Sequence, residues 1–248
     1  MLQFAKDMHS AKEIEIKLIS KPIADTVVKK YHYSGKVTQN SQINFGIFDK
    51  NLLIGALQFG ASIDKRRMAK SLGIGFNDFL ELNRMALQPD TPKNTESRAI
   101  SICLRILKKN YPNLKCVVSF ADACQCGDGT IYRASGFVLN DIKINKSLVK
   151  VKKNIDTKGL ENIFTSNGRP LLDFLHDGVM AKKMLDDYLT NDGKYLSSLN
   201  LWEPIKGYQF KYIYCYDPEL KIKLNKIPFD KIQNECKMYL GKNYAVKA

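Results

Sequence analysis

The amino-acid sequence predicts an α/β (α+β) fold in a single domain spanning residues 1–248. Residues 78–137 carry the main indication: their apolar patterns follow the order strand, helix, strand, short helix, strand, which is typical of an α/β layer with a right-handed crossover. An earlier pair of β-rich runs predicts a hairpin, and the aromatic run at 208–216 predicts a late strand. With 44% hydrophobic residues, the chain is long enough to bury one core.

The first half of the chain predicts three strands and one helix. EIEIKLI alternates like a half-buried strand, Lys21-Pro22 starts a helix, and Asp49-Lys50-Asn51 forms a turn between two β-rich runs. In chain order, these elements are a strand at 13–19, a helix from 21 to 31, and strands at 42–48 and 52–59. The next segment, 62–75, is basic, and we expect it to be mobile.

The second half adds strands around one long helix. The run KCVVSFADA is uncharged until its end, like a strand covered on both faces. In chain order, we predict a strand at 78–87, a helix at 96–110, a strand at 115–123, a short helix at 130–135, a strand from 136, a helix at 170–190, a strand at 208–216 and a helical pattern at 228–240. Residues 141–160 carry six lysines, which indicate either a basic-faced strand or arm or a solvated surface. We expect 141–200 to be an inserted segment and 219–248 a C-terminal helical tail.

Charge points to the class of partner. With 39 Lys and Arg against 25 Asp and Glu, the net charge of +14 favours a polyanion, because lysines and arginines release counterions from phosphates. The alternative is a basic protein that is merely soluble. Six scattered cysteines do not make a disulfide scaffold, which indicates a reducing compartment. No apolar run approaches the roughly 18 residues that a membrane span requires, so we expect a cytoplasmic protein with no membrane partner.

Asp122 and Tyr132 are the first candidates for chemistry. Asp122 ends the predicted strand at 115–123, at the edge where ligands gather in open α/β sheets. Tyr132 lies ten residues later on the short helix, so the two side chains are expected to share one pocket. A carboxylate accepts a proton from an amine nucleophile, and a phenol donates one or stabilises an oxyanion. The structural alternatives are a turn cap for Asp122 and ordinary core for Tyr132.

Arg84 is the second candidate. Strand alternation in ELNR puts Glu81 and Asn83 on one face and Leu82 and Arg84 on the other. Buried charge is costly unless it is paired, so this polar run in an apolar strand calls for a partner. Arg84 either binds phosphate or a substrate carbonyl, or forms a structural ion pair with an acid such as Asp122 or Glu81.

His32 and Tyr33 form the third candidate, in the loop YHYSG. Histidine with tyrosine and aspartate oxygens is a donor set for a transition metal, although the spacing here is not specific. Cys124-x-Cys126 has no second pair and no nearby histidine, which is poor evidence for zinc. The P-loop, G-x-S-x-G and H-E-x-x-H motifs are absent, which disfavours phosphate-loop ATPases, serine hydrolases and zinc proteases.

Six segments together resemble the phage Mom family of DNA-modification proteins: HYSGKV, FGIFDKNLLIGALQFG, FLELNRMAL, NTESRAISICLRILKK, VVSFADACQCGDGTIYRASGF and GYQFKYIYCYD. The resemblance covers roughly residues 25–140 and, more loosely, 200–218. It implies a fold like that of GCN5-related N-acetyltransferases: a mixed, mostly antiparallel central sheet flanked by helices, here with an insertion before the last strand. It also implies that the protein converts adenine in DNA to a methylcarbamoyl-bearing adenine, which protects phage genomes from restriction.

The resemblance also implies which residues act. The arginine essential to the family matches Arg84 in LNRMAL, its aspartate matches Asp122 in SFAD, and its tyrosine matches Tyr132 in GTIYRASGF. A His-Tyr pair of the family matches His32 and Tyr33. In the family these His, Tyr and Asp groups are linked to iron, so the resemblance implies an iron site formed by His32, Tyr33, Asp122 and Tyr132.

One stretch departs from the acetyltransferase pattern. That superfamily holds the pyrophosphate of acyl-coenzyme A on a glycine-rich turn that opens a helix. The corresponding stretch here, 88–98, has no glycine, although Lys93, Asn94, Thr95, Ser97 and Arg98 are available to hold an anion. Whether a coenzyme A thioester is the donor is therefore open.

The leading hypothesis is transfer of a small carbamoyl-type group to the exocyclic amine of adenine, flipped out of duplex DNA. Residues expected to bind the DNA backbone without reading sequence are Lys65, Arg66, Arg67, Lys150, Lys152 and Lys153. The runner-up is an acyl-CoA-dependent N-acetyltransferase of proteins or small amines, with coenzyme A at 94–98. A third alternative is a DNA-binding accessory protein without catalysis. The sequence leaves homodimer formation open.

Overall fold

The computed structural model describes residues 10–123, 127–152, 179–181 and 202–235. Its strands are β1 (Ile14–Leu18), β2 (Ser41–Asp49), β3 (Leu52–Gly60), β4 (Phe79–Leu87), β5 (Cys116–Asp122), β6 (Val138–Val151), β7 (Val179–Ala181) and β8 (Trp202–Cys215). Its helices are α1 (Lys21–Tyr31), α2 (Lys65–Leu72), α3 (Thr95–Asn110), α4 (Thr130–Ala134), α5 (Pro218–Lys223) and α6 (Asp230–Glu235). None of the helices in these ranges is long and apolar enough to cross a membrane.

The chain divides into two compact units. The first comprises residues 1–120, 130–140 and 211–227, and the second comprises 121–129, 141–210 and 228–248. Strands β5, β6 and β8 each run from one unit into the other. The single domain, the inserted segment at 141–200 and the helical tail at 219–248 stay predictions.

The sheet is mixed and mostly antiparallel, with helices against it, as the sequence predicted. The strands follow the order β1-β2-β3-β4-β5-β8-β6-β7. The ladders β1–β2, β2–β3 and β3–β4 are antiparallel, and the expected hairpin is the β2–β3 pair. β4 and β5 are parallel, with α3 between them in the chain, which is the expected crossover unit.

The parallel pair β4–β5 is short. Its register joins Phe79, Leu80 and Glu81 to Cys116, Val117 and Val118. Beyond Glu81 both strands are described, and they share no further register pair. The polar part of β4 therefore lies where this ladder has ended.

Clusters of apolar side chains hold the first unit together, and two of them lie within the part of the chain that the structure describes. On one face of the sheet, Ala24, Val27 and Val28 of α1 pack with Ala56 and Ala86 of the strands. The buried residues of the second cluster are Ala69, Phe79, Cys116, Val118, Ile213 and Leu220. The helix predicted at 96–110 is confirmed as α3, which buries five apolar residues on one stripe: Ala99, Ile100, Cys103, Leu104 and Leu107.

The prediction of a mobile segment at 62–75 is wrong, because it contains the helix α2. The Asp64 carboxylate accepts the Arg67 backbone N–H at 3.1 Å and so caps the first turn. Gly73, with φ of +64°, ends the helix in the left-handed conformation that glycine adopts readily. Met68 and Leu72 pack against the second cluster. The basic run is the outer face of an anchored helix.

The prediction of a helix at 170–190 is wrong at its centre. Residues Val179–Ala181 form β7, which pairs antiparallel with β6 through Val179 and Lys150. Pairing with a distant strand has overridden a local helical pattern, as tertiary context often does. The other residues of that predicted helix lie outside the described residues.

Candidate functional site

Arg84 owes its position to a β-bulge in β4. Gln58 of β3 lies opposite Arg84, whereas the next residue, Phe59, lies opposite Leu82. Asn83 is therefore an extra residue between two ladder pairs. Because Gln58 and Phe59 point to opposite faces, Leu82 and Arg84 do too, and the alternation expected from the sequence is wrong at this point. Glu81, opposite Gly60, shares the face of Gln58 and Arg84.

The Arg84 guanidinium is held by backbone oxygens. Its Nε donates to the Lys36 carbonyl at 3.0 Å and its Nη1 donates to the Asn83 carbonyl at 2.7 Å. The first bond ties β4 to the loop after α1, and the second uses a carbonyl of the bulge. Two such bonds fix the guanidinium plane, and a guanidinium has five N–H donors in all.

A network of polar side chains lies beside Arg84. Gln58 is fully buried, and its Nε2 donates to Asp25 at 2.8 Å and to Asn44 at 3.1 Å. Asp25 also pairs with Lys21 on α1. This network joins α1, β2 and β3 at the position across from Arg84, so the arginine is mounted on a rigid part of the sheet.

Glu81 connects β4 to the loop before α2. Burial raises the pKa of Glu81 above the ordinary glutamate value, and hydrogen bonds from Ser62 and Asn83 and the charge of Arg84 offset part of that rise. Asn83 Nδ2 also donates to the Ala61 carbonyl at 3.2 Å. Ser62 was not identified from the sequence, since its partner is nineteen residues away in the chain.

His32 and Tyr33 lie at the end of α1, in the same unit as Arg84. His32 is buried, and its ring lies 4.2 Å from that of Tyr33 between centroids. The Ser34 backbone N–H donates to His32 Nδ1 at 3.1 Å, and the Ser34 hydroxyl lies 2.8 Å from the same nitrogen. A backbone N–H is always a donor, so Nδ1 is the unprotonated nitrogen and the neutral ring carries its proton on Nε2.

Tyr132 lies on α4 within the first unit. Its side chain is buried, and its ring lies 5.2 Å from that of Tyr212 and 5.5 Å from that of Phe137. The chain then turns at Gly136, where φ is +84°. Aromatic packing on two sides fixes the ring and thereby the direction of the phenol.

Asp122 is the last residue of β5 and belongs to the second unit. Its carboxylate is largely buried, with 7% of the residue exposed. The following residue, Ala123, donates its backbone N–H to the Tyr208 carbonyl at 3.0 Å, which extends the strand pairing just past Asp122. Burial of a carboxylate at a strand end, next to paired backbone, fits an acceptor group held in one orientation.

The start of α3 uses its polar groups locally. The Thr95 side chain is fully buried and donates to the Pro92 carbonyl at 2.6 Å. The Ser97 hydroxyl donates to the Asn94 carbonyl at 3.2 Å, and Arg98 Nη2 donates to the Lys12 carbonyl at 3.1 Å. Asn94 has φ of +71°. The coenzyme A contacts expected at these residues stay a prediction.

The predicted DNA-binding residues fall in both units. Lys65, Arg66 and Arg67 form the first turn of α2, where the two arginines are exposed. Lys65 Nζ donates to Asn77 at 2.9 Å. Lys150 is half-buried on β6, and Lys152 follows that strand. Lys153 lies outside the described residues, as do Cys124 and Cys126.

Iron does not fit the arrangement at His32. Imidazole binds a metal through an unprotonated nitrogen and donates its other N–H to a neighbour. Here Nδ1 is the nitrogen that accepts from Ser34, which leaves the proton on Nε2. We therefore assign iron no step.

The chain matches one known protein family over most of its length. The Mom protein family matches residues 13–231, which is most of the chain. The chain belongs to the Mom family. Within the Mom family, the methylcarbamoylase Mom of Escherichia phage Mu is 38% identical over 133 residues, covering 52% of this chain and 54% of that protein. The matched region thus spans about half the length of the curated relative.

Solved structures similar to this Mom-family chain include acetyltransferases. The ribosomal-protein-S18-alanine N-acetyltransferase of Escherichia coli has a TM-score of 0.41 at 11% identity, covering 82% of this chain and 94% of its own. The IAA acetyltransferase of Bacillus cereus has a TM-score of 0.43 at 10% identity, covering 82% and 99%. These scores are too low to support an argument about activity.

Proposed function

We propose that this protein is a transferase that places a methylcarbamoyl-type group on the exocyclic amine of adenine in double-stranded DNA. One observation carries the proposal: the family match spans residues 13–231, and the phage Mu relative is a methylcarbamoylase. The residues that the resemblance implied, Arg84, Asp122 and Tyr132, support it. Each is a polar side chain fixed by its surroundings, as catalysis requires.

Arg84 orients the donor in this proposal. Its two bonds to the Lys36 and Asn83 carbonyls leave N–H donors of the same rigid fork for an oxygen of the donor or for a phosphate. Arg84 lies beyond the last register pair of the β4–β5 ladder, Glu81–Val118, and this location supports the role because Arg84 is not part of the parallel pairing.

Asp122 and Tyr132 move the protons. The adenine amine forms a bond to the electrophilic carbon of an activated carbamoyl-type donor, and the bond from that carbon to its leaving group breaks. Asp122 takes the proton that the amine loses, and the leaving group departs with the bonding electron pair and receives a proton from Tyr132. The buried carboxylate and the buried phenol support these roles, since desolvation strengthens such interactions.

Duplex DNA is the proposed partner. The net charge of +14 and the exposed arginines of α2 support binding to the phosphate backbone without sequence reading. The adenine amine is paired within the duplex, so the base has to be flipped out before it reacts. Lys150 and Lys152 are further candidates for backbone contacts.

The proposal is tested on DNA from cells that express the protein. Mass spectrometry of its nucleosides should show a modified adenine with wild type and with the control Asp141→Asn, a surface aspartate of β6 in the same unit as Asp122. It should show none with Asp122→Asn, while purified Asp122→Asn still binds duplex DNA. Wild type that leaves adenine unmodified overturns the proposal. If wild type then acetylates amines with acetyl-coenzyme A, the acetyltransferase alternative takes its place.

A further inference from the structure

Ile63 is an apolar residue whose side chain is exposed to solvent. It lies between β3 and α2, and 93% of the residue is exposed. Single exposed apolar residues are common and need no account by themselves. Ile63 differs from such residues because its loop is fixed on both sides and because the helix that follows it is strongly basic.

The loop that carries Ile63 is fixed on both sides. Before it, the Ala61 carbonyl accepts from Asn83 Nδ2 at 3.2 Å, and buried Ser62 hydrogen-bonds to the Glu81 carboxylate. After it, Asp64 caps α2. These contacts hold the residues on both sides of Ile63, and the Ile63 side chain is exposed between them.

The surroundings of Ile63 are basic. The helix that begins just after it carries four cations in two turns: Lys65, Arg66, Arg67 and Lys70. Both arginines and Lys70 are exposed. Charge of this density is complementary to the phosphates on either side of a duplex groove. Proteins that unstack bases combine such contacts with an apolar wedge, often Ile, Leu or Phe.

The bulge also carries Arg84, and this connects the wedge to the site. Asn83 is the extra residue of the bulge: its side chain holds the Ile63 loop, and its carbonyl accepts from Arg84. One residue thus fixes both the exposed isoleucine and the arginine that orients the donor. A base displaced by Ile63 would leave the stack beside a loop that hydrogen-bonds to the same residue as Arg84 does.

We propose that Ile63 enters the base stack of duplex DNA and fills the space of the flipped adenine while α2 binds the backbone. This inference rests on the proposed function and adds to it the residue that opens the duplex. It assigns to the loop 61–64 a role in presenting the base, separate from the chemistry of the transfer.

The test uses the full chain and a duplex with 2-aminopurine at a position where adenine is modified in cells. 2-Aminopurine brightens when it leaves the stack. Ile63→Ala should reduce the rise in fluorescence on binding at least fivefold and the modified adenine in cellular DNA at least tenfold. Affinity, measured by anisotropy, should stay within twofold of wild type. Ile63→Leu, which keeps the apolar volume, should restore both signals.

The matched control is Ile222→Ala. Ile222 is also exposed, at 79%, and lies between Lys221 and Lys223, but it belongs to α5 and not to the loop held by Asn83. We expect this variant to behave as wild type. If Ile63→Ala gives the full fluorescence rise and full modification, the wedge is wrong and the proposed function stands. If affinity falls as much as fluorescence, Ile63 belongs only to the binding surface, which also overturns the inference. Failure of wild type to modify DNA overturns the proposed function instead.

Discussion

Arg84 lies directly across the β3–β4 ladder from Gln58. The next residue of β3, Phe59, lies opposite Leu82, so one step along β3 corresponds to two steps along β4. Gln58 is itself fixed by Asp25 and Asn44. The arginine therefore projects from a fixed point of the sheet on the same face as Glu81. The position of Arg84 depends on the extra residue Asn83 in β4, and its chemistry depends on the planar geometry of the guanidinium.

Replacing Arg84 by lysine should remove activity and keep the fold. A lysine has one compact ammonium group and cannot hold the Lys36 and Asn83 carbonyls while offering a planar fork to the substrate. We expect modified adenine in cellular DNA to fall at least tenfold, equivalent to about 1.4 kcal/mol. Arg105→Lys, on the exposed side of α3, is the control. Full modification by Arg84→Lys would show that any cation suffices there.

Tyr132 allows the hydroxyl to be separated from the ring. Tyr132→Phe keeps the ring packing against Tyr212 and Phe137, so the free energy of unfolding should change by about 1 kcal/mol or less. Modification should be lost, because the proton donor is gone. Tyr132→Ala should cost about 3–5 kcal/mol by leaving a cavity, measured by urea denaturation. Tyr132→Phe with unchanged modification would reduce Tyr132 to a packing residue.

Much of the fold follows from local patterns, and the site follows from polar groups that interrupt them. Arg84 and Asp122 stand out because each is a charge in an apolar strand, and Tyr132 because the resemblance marks it. The helix α2 could also be predicted from the sequence, because Asp64 is a common residue at the start of a helix and Gly73 is a common residue at its end. Its run of cations is also typical of a mobile loop, but the outer face of a helix tolerates such a run.

The bulge in β4 and the anchored loop of Ile63 could not be predicted from the sequence. The extra residue Asn83 is defined only by which residues of β3 lie opposite β4, and alternation in one strand carries no information about its partner. The anchoring of the Ile63 loop depends on the contacts of Ser62 with Glu81 and of Ala61 with Asn83. Long-range contacts of this kind leave no local pattern.

Glu81 should give stability a specific pH dependence. Burial raises its pKa in the folded state, so the folded protein holds a proton that the unfolded chain, with glutamate near about 4.3, has released. The contribution of Glu81 to stability is therefore greatest below the unfolded pKa and declines as pH rises towards the folded pKa. Glu81→Gln cannot ionise and should gain stability relative to wild type across that window, measured by urea denaturation from pH 4 to pH 8.

Asp78 provides a control of opposite sign. The Gly75 backbone N–H and Lys115 lower the pKa of Asp78. Its contribution is present above the unfolded aspartate pKa, near about 3.9, and is lost as pH falls through the folded pKa. Asp78→Asn should therefore be less stable than wild type at neutral pH, and the difference should vanish in acid. A Glu81→Gln difference that does not vary with pH would contradict a raised pKa at Glu81.

His32 should act as a hydrogen-bond donor through Nε2. The Ser34 N–H accepts no proton and can only donate, so it fixes the lone pair of His32 on Nδ1. In nitrogen-15 NMR spectra of the neutral ring, Nε2 should give the protonated-type shift and Nδ1 the unprotonated type. Ferrous ion added to the protein should leave both signals unbroadened. Loss of the His32 ring signals with iron would show that His32 is a ligand after all.

Two substitutions separate the nitrogens of His32 by function. An asparagine amide oxygen can replace Nδ1, so His32→Asn should keep the contact with the Ser34 N–H and lose only the Nε2 donor. A glutamine amide nitrogen reaches the place of Nε2, so His32→Gln should keep that donor and lose the Ser34 contact. We therefore expect His32→Asn to unfold at nearly the wild-type temperature and to modify little adenine. His32→Gln should be less stable and, where the Nε2 donor serves the reaction, should retain more modification than His32→Asn; the reverse order would assign that role to Nδ1.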